Sequence, residues 1–556
     1  MVCLVEKTKK VGLKKTKKTS LPVARSPANT QVRSNRRPEI PSFFLLAGIG
    51  VVALYFFTHL WNLGKFPVFA DESIYIRWAQ LCMDDWKRYA FFALNDGKTP
   101  LFIWQIATFQ WLNPNQLIAA RLVSLAAGIL QMLIAAAVLR TLNAKKSTQL
   151  LGMLLICTLP FWFTYHRLAV MDGWLTVWIS FTFWAQLKLG QAGAALNKKL
   201  FWSSIVGLGL GLALWTKLPA LFYLPVGVWV ALWLSWQNKS TYSKQNLIQT
   251  CGWQVAGLGL GLIFFAAMRL SPLFGQLFHR GQEFTFSLAE LRSGKWQELF
   301  PHLSQFTLYF ATYLSWPILI AVVTGLFFTR TRQKICLLLG CSILFCLPFM
   351  ALGKVIYPRY LLPAAFFLTI GGAVAIEAIC QNLFSKSGLL IRVFLSMVVA
   401  LLAGQTVIVI SLFMIGLIFA PNVTPFVATD RKEYLEEWSS GHGIAETVEM
   451  IRTETKQHSL AVATEGRFGT LPDGLLLFFH DQNVDHLYIE GTGQYPVKTI
   501  PDFFKQRART FDHSWLVVNS HRMELKLPAE KKIAEFCRPN GAPCLQVWDI
   551  TQQVKQ

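Results

Sequence analysis

Apolar runs near 20 residues recur along most of the chain, separated by short polar turns. The pattern predicts membrane spans near 41–60, 117–140, 148–166, 172–190, 200–217, 219–236, 251–269, 305–329, 335–353, 359–380 and 389–417. Mean hydropathy is +0.40. Of the 556 residues, 53% are hydrophobic and only 15% charged. The chain therefore reads as a polytopic α-helical membrane protein of about 11 spans.

The polar turns test that count. Residues 140–146, 188–199, 237–244, 330–334 and 381–386 each carry Lys or Arg and no Asp or Glu, as cytoplasmic turns should. The formal net charge of +23 gathers in these turns and in residues 1–40, a Lys/Arg/Ser/Pro-rich segment expected to be a disordered cytoplasmic tail. No basic-aromatic platform accompanies the charge, which argues against nucleic acid as a partner. The basic region is too long, and the apolar run after it long enough to span, so a cleaved signal peptide is not expected.

Two apolar stretches do not fit as spans. Residues 99–112 number about 14, short for a crossing, and counting them would put Lys145, Lys146, Arg330 and Arg332 outside. They are expected to lie in, or re-enter, the outer interface. Residues 73–86 carry Ile74, Trp78, Leu81 and Asp85 at helical spacing and are expected to rest there too. The expected organisation is a tail (1–40), a transmembrane domain (41–419) with external loops 61–116 and 270–304, and an extracytoplasmic α/β domain (420–556). In that domain a polar helix at 444–456 and strands at 460–464, 485–490, 515–519 and 544–549 alternate with a helix at 501–507. Cys537 and Cys544 flank a turn-rich hexapeptide. They are either a small disulfide loop, which would fit an oxidising compartment, or two free thiols.

This topology puts the chemistry-bearing turns on one side. After the first span comes Phe-Ala-Asp71-Glu72-Ser73, then Asp96-Gly97-Lys98-Thr99-Pro100-Leu101. Later turns read His166-Arg167-Leu-Ala-Val-Met-Asp172, Trp-Thr-Lys217-Leu-Pro219 and Gly353-Lys354-Val-Ile-Tyr357-Pro-Arg359-Tyr360-Leu-Leu-Pro363. Ordinary roles compete. Asp172 suits a helix start and Lys217 suits a snorkelling helix end. The long external loop 270–304, with His279, Arg280, Glu283, Arg292 and Lys295, is either a cover or acceptor reader for such a site or a solvated connection.

In this order the motifs resemble the C-type membrane glycosyltransferases, nearest the protein O-mannosyltransferases and the lipid A aminoarabinose transferases. The likeness covers roughly residues 41–417. It implies an inverting transfer of a sugar from a polyprenyl-phosphate-linked donor to a lipid, glycan or protein hydroxyl at the outer face. By the same resemblance Asp71 matches the base or acceptor-orienting carboxylate, with Glu72 beside it, and Asp172 a second acid of the site. Lys98, Lys217, Arg359 and Arg167 are the implied holders of the lipid phosphate, and Tyr360 an aromatic residue near the donor. A divalent cation is the one cofactor implied, with Asp71, Asp172 and Asp96 as its ligands. The aminoarabinose transferase has an acidic residue at the position of Gly97, so Asp96 either substitutes for it or leaves a metal without its ligand. Eukaryotic protein mannosyltransferases carry an extra external module that this chain lacks, which points to a bacterial plasma membrane.

A cationic end-of-helix site suits such a donor, because charge at the headgroup level costs far less than at the bilayer midplane. The competing reading is a transporter or flippase for a lipid-linked sugar. Transporters place charge near the midplane and repeat their halves; here charge collects at helix ends and no repeat is evident. A scaffold or receptor would leave the outer-face charges without a task.

Overall fold

The computed structural model describes residues 41–193, 195–237, 244–386, 388–480 and 486–556. The expected tail at 1–40 lies outside them. Residues 44–556 form one compact unit.

Among the described residues, eight helices are long and apolar enough to cross a membrane: Phe43–Leu60, Gln116–Thr141, Leu196–Thr216, Leu218–Trp236, Ile248–Leu270, Thr329–Leu352, Pro358–Asn382 and Leu389–Phe419. Two bent pairs raise the number to as many as 10. Each replaces a span expected to be straight, and each breaks where proline denies the backbone a donor. Lys146–Thr158 and Pro160–His166 meet at 56° at Leu159-Pro160. Lys295–Leu314 and Trp316–Gly325 meet at 105°, across Ser315 with φ +70° and Pro317. The remaining expected span, Met171–Gly190, is a helix of 20 residues and is not one of these eight. Most of its side chains are buried against neighbouring helices, so protein rather than lipid receives them. Pro358–Asn382 is the central helix, 83% of its apolar window being buried, whereas Leu389–Phe419 is peripheral at 11%. Large exposed apolar side chains such as Leu389, Leu390 and Leu401 are what a lipid-facing surface requires.

The stretch at 99–112 forms an apolar helix over Leu101–Leu112, shorter than a span, and it packs beside the helix Ala70–Asp84. Strand β1 (Val68–Phe69) precedes that second helix. It pairs antiparallel with β2 (Ser440–Gly441), beyond the last long helix. Gly441 is obligatory there, because a Cβ would stand 2.3 Å from the Val68 carbonyl oxygen.

The C-terminal region has the α/β character its sequence predicts. Strands β3 (Leu460–Thr464), β4 (Leu487–Gly491), β5 (His513–Asn519), β6 (Lys532–Phe536) and β7 (Leu545–Asp549) form one sheet in the order β4-β3-β5-β7-β6. β3 pairs parallel with β4 and β5, and β7 antiparallel with β5 and β6. β6, unexpected from the sequence, is a half-exposed edge strand that carries charge at Lys532 and Glu535. Ile444–Glu454 and Asp502–Ala508 are the expected helices. Cys537 and Cys544 are joined in a disulfide, which resolves the alternative left by the sequence.

Candidate active site

Asp71 sits in the first turn of the Ala70–Asp84 helix, and its partly buried carboxylate faces two cations. Oδ1 accepts from Lys98 Nζ at 3.3 Å and Oδ2 from Arg359 Nη2 at 3.3 Å. Lys98 is delivered by a turn whose Gly97 has φ +69°, a backbone that a side chain rarely adopts. Asp96 holds Lys98 at 2.9 Å and also binds Arg280 of the 270–304 loop.

Asp172, in the first turn of Met171–Gly190, is buried and does not cap that helix. Both its oxygens accept from Lys217 Nζ, at 2.7 and 2.9 Å. Lys217 itself lies in the extended link between two spans. Arg359, in the short 3-10 turn Pro358–Leu361, joins the halves: its Nε stands 3.9 Å from Asp172 Oδ2 while Nη2 reaches Asp71. That Nε is buried and donates no hydrogen bond. Aromatic faces line the cations, as the ring quadrupole favours. Lys98 lies over Tyr75 and Trp78, Lys217 lies 4.5 Å from the Tyr360 ring centroid, and Arg359 lies over Phe69, Tyr357 and Tyr360.

The structure thus brings Asp71, Asp96, Asp172, Lys98, Lys217, Arg359 and Tyr360 together. Glu72 and Arg167 are engaged elsewhere, which corrects their expected roles. Consecutive helical residues point about 100° apart, so Glu72 turns away from Asp71 into full burial against Arg121, at 2.7 and 2.8 Å. It also accepts the amides of Phe69 and Ala169. Arg121 completes its donors on the carbonyls of Leu63, Phe66 and Pro67. Arg167 donates to the carbonyls of Thr58, His59, Trp61 and Asn62, groups that the C-terminus of the first span leaves without helical partners. Both residues fix the turns that carry the site.

Three further residues enter from the segment after the last long helix. Glu433 Oε2 accepts from Arg359 Nη1 at 2.6 Å, and the Tyr434 hydroxyl contacts the same nitrogen at 2.9 Å. Asp430 accepts hydrogen bonds from Tyr165 and Tyr313. A polar stretch just past a membrane span gave no periodic signal for them. Their one sequence cue is an Asp-x-x-Glu-Tyr run amid residues expected to open a soluble domain.

Four carboxylates (Asp71, Asp96, Asp172, Glu433) therefore face four cations (Lys98, Lys217, Arg280, Arg359). Burial pushes the Asp71 carboxyl up, but Lys98, Arg359 and Lys217 outweigh it and hold the group below its usual range. Burial pushes Glu433 up against the pull of Arg359. Asp430 is pushed up to about 6, again by burial, with the two tyrosine donors pulling back.

The donor set does not fit a divalent metal. Both oxygens of each of Asp71, Asp172 and Asp96 already accept from an ammonium or guanidinium group. A divalent cation would add its charge beside four fixed ones, without a neutral ligand to favour it.

Solved structures share this arrangement of helices and sheet. ArnT from Cupriavidus metallidurans bound to undecaprenyl phosphate superimposes with a TM-score of 0.54 at 14% identity, covering 92% of this chain and 98% of that one. Its apo state gives 0.54 at 15% identity, over 92% and 99%. The fold is that of the C-type membrane glycosyltransferases. A third protein of similar C-type fold is the Archaeoglobus fulgidus oligosaccharyltransferase tethered with an acceptor peptide. It gives 0.52 at 9% identity, over 86% of this chain and 69% of that one. A family model described as dolichyl-phosphate-mannose-protein mannosyltransferase matches residues 89–268. No curated protein matches the chain. An integral membrane protein with the C-type fold agrees with the resemblance read from the motifs.

Proposed function

We propose that the chain is an inverting glycosyltransferase that moves a sugar from a polyprenyl-phosphate-linked donor to an acceptor hydroxyl. The observation that carries the reading is the convergence of Lys98, Lys217 and Arg359 on Asp71 and Asp172 at helix ends, with Arg359 Nε buried and without a hydrogen bond. ArnT is similar in fold over nearly its whole length and has been seen with undecaprenyl phosphate. A phosphate on a lipid chain is a ligand that such a cluster could recognise while its prenyl tail lay along apolar helices.

In this reaction the acceptor oxygen attacks the anomeric carbon from the face opposite the phosphate. A carbon–oxygen bond forms, the bond to the phosphate oxygen breaks, and polyprenyl phosphate leaves with the electron pair. Lys98, Lys217 and Arg359 meet the charge that grows on the departing phosphate, so they stabilise the transition state more than the ground state. The acceptor proton goes to Asp71. As found, Asp71 is a weak base because three cations depress it. A donor phosphate that draws Lys98 and Arg359 toward itself removes two of the three, and the basicity of Asp71 rises only when the donor is in place.

The active face is proposed to be extracytoplasmic. The positive turns on the other side support this, as does the Cys537–Cys544 disulfide, which fits an oxidising compartment. The test is a transfer assay in detergent with radiolabelled polyprenyl-phosphate sugars and a membrane extract as acceptor source. Label should leave the lipid for an acceptor with the intact chain and not with Asp71→Asn. Equal transfer by both would overturn the mechanism. Movement of intact lipid across vesicles without transfer would replace it with a flippase.

A further inference from the structure

The C-terminal domain holds a second group of ionisable side chains, at the end of its sheet opposite Glu465 and Asn519. Glu454 closes the Ile444–Glu454 helix, and the chain continues for one more turn in which the His458 amide donates to the Glu454 carbonyl at 3.1 Å. An i, i+4 pair shares one side of such a turn. His513 opens β5 and approaches from the sheet, its Nδ1 hydrogen-bonded to the Glu454 carboxylate. The two imidazoles lie 4.6 Å apart by ring centroids, inclined at 40°. One ligand atom from each of the three residues lies within 4.8 Å of the other two.

The backbone beneath is fixed by reciprocal hydrogen bonds. Asp512 Oδ2 accepts from the Ser459 amide and hydroxyl, each at 2.8 Å. The Asp512 amide donates to Ser459 Oγ at 2.9 Å, and the His513 amide to the Ser459 carbonyl at 3.0 Å. The residues following His458 and preceding His513 are thereby locked to one another. Hydrogen bonds from Ser459 hold the Asp512 carboxyl below its usual range, and its charge interacts with both imidazoles. The group is partly open to solvent, so an ion can enter.

We propose that Glu454, His458 and His513 form a binding site for a zinc-class divalent transition cation, separate from the charge cluster at Asp71. Two imidazoles with one carboxylate are borderline-soft ligands that suit such an ion better than magnesium or calcium. Metal–ligand bonds of about 2.0–2.1 Å in a tetrahedron put ligand atoms ~3.3 Å apart, so the set closes on an ion by rotamer adjustment of ~1.5 Å. Binding takes the place of the hydrogen bond between His513 and Glu454, and the ion competes with protons for the same ligand atoms. The ion ties the helix to the starts of β3 and β5. Its fourth position is left to water or to a group from a partner molecule.

The test uses the full chain, purified in detergent on a tag without histidine, stripped with a chelator and titrated calorimetrically with Zn²⁺. The intact chain should take up one equivalent that His458→Ala/His513→Ala does not. The loss should exceed the roughly tenfold to hundredfold that removing an outer hydrogen-bond partner costs. Mg²⁺ in excess should not compete, and Zn²⁺ should raise the thermal midpoint of the intact chain alone. Equal uptake by both proteins, or none by either, overturns the proposal. X-ray absorption at the zinc edge of the loaded intact chain is a second measurement, and it does not depend on the variant folding: two imidazole ligands are expected, and a shell without them refutes the site.

Discussion

Glu433 Oε2 lies 2.6 Å from Arg359 Nη1, so a carboxylate from beyond the last long helix occupies a cation expected to hold the donor phosphate. A phosphate must compete with it. Glu433→Gln is expected to lower the KM for donor several-fold, on the order of 1 kcal/mol in charge competition. Arg359→Ala should raise it at least about tenfold, as expected for the loss of a charge-assisted contact. Steady-state kinetics with varied donor separate the two. A raised KM in Glu433→Gln would mean that the carboxylate positions Arg359 instead of competing for it.

Asp71→Asn removes the proton acceptor but keeps the shape of the side chain. Its kcat is expected to fall by about 10²–10⁴, with the KM for donor unchanged or lower, because Lys98 and Arg359 lose a competitor. Single-turnover transfer from bound donor is the measurement. A large rise in donor KM with kcat preserved would assign Asp71 to binding.

Glu72 should behave in the opposite way to its neighbour. Glu72→Ala strands Arg121 as a fully buried, unpaired charge, a change that costs about 3–5 kcal/mol. Thermal unfolding in detergent should show a large loss of stability. The Glu72→Gln/Arg121→Met pair, which leaves no charge behind, should recover part of it, the carbonyls of Leu63, Phe66 and Pro67 still lacking their donor.

Asp430 links stability to pH. Its folded value of about 6 exceeds the ordinary 3.8. The folded state therefore binds more protons than the unfolded state between those values. The stabilisation is full below about pH 4 and is lost as pH rises through about 6, by about 3 kcal/mol. Asp430→Asn, which stays neutral and still accepts from a tyrosine hydroxyl, should flatten the unfolding profile over that window and be the more stable protein at pH 7.

What the sequence made legible follows from where each residue sits. Asp71, Lys98, Asp172, Lys217 and Arg359 each stand at a span end or in a turn on one predicted side, so the predicted alternation of sides was enough to bring them to one place. Charge is rare in such a chain and conspicuous at those points. The bends at Leu159-Pro160 and Ser315–Pro317 had their signal in the prolines. Glu72 was misread because adjacency in sequence is divergence on a helix. Arg167 was misread because a cation that satisfies orphan carbonyls looks, in sequence, like one awaiting an anion. Glu433 and Asp430 were invisible for a different reason. Their burial depends on the chain folding back under the spans after residue 420, and no local pattern encodes that return.

The β1–β2 pairing places Ser440 and Gly441 beside Val68 and Phe69, two residues upstream of Asp71. The visible join between membrane and soluble parts is therefore not a seam. A chimera cut at residue 420 would import a stranger's Glu433, Asp430 and Tyr434 into the charge cluster. One cut just after Gly441 would exchange the sheet and leave the cluster whole. Recombination among relatives of this fold would be penalised more heavily at the first boundary than at the second, which makes the acidic segment the inheritance of the membrane helices rather than of the domain it introduces.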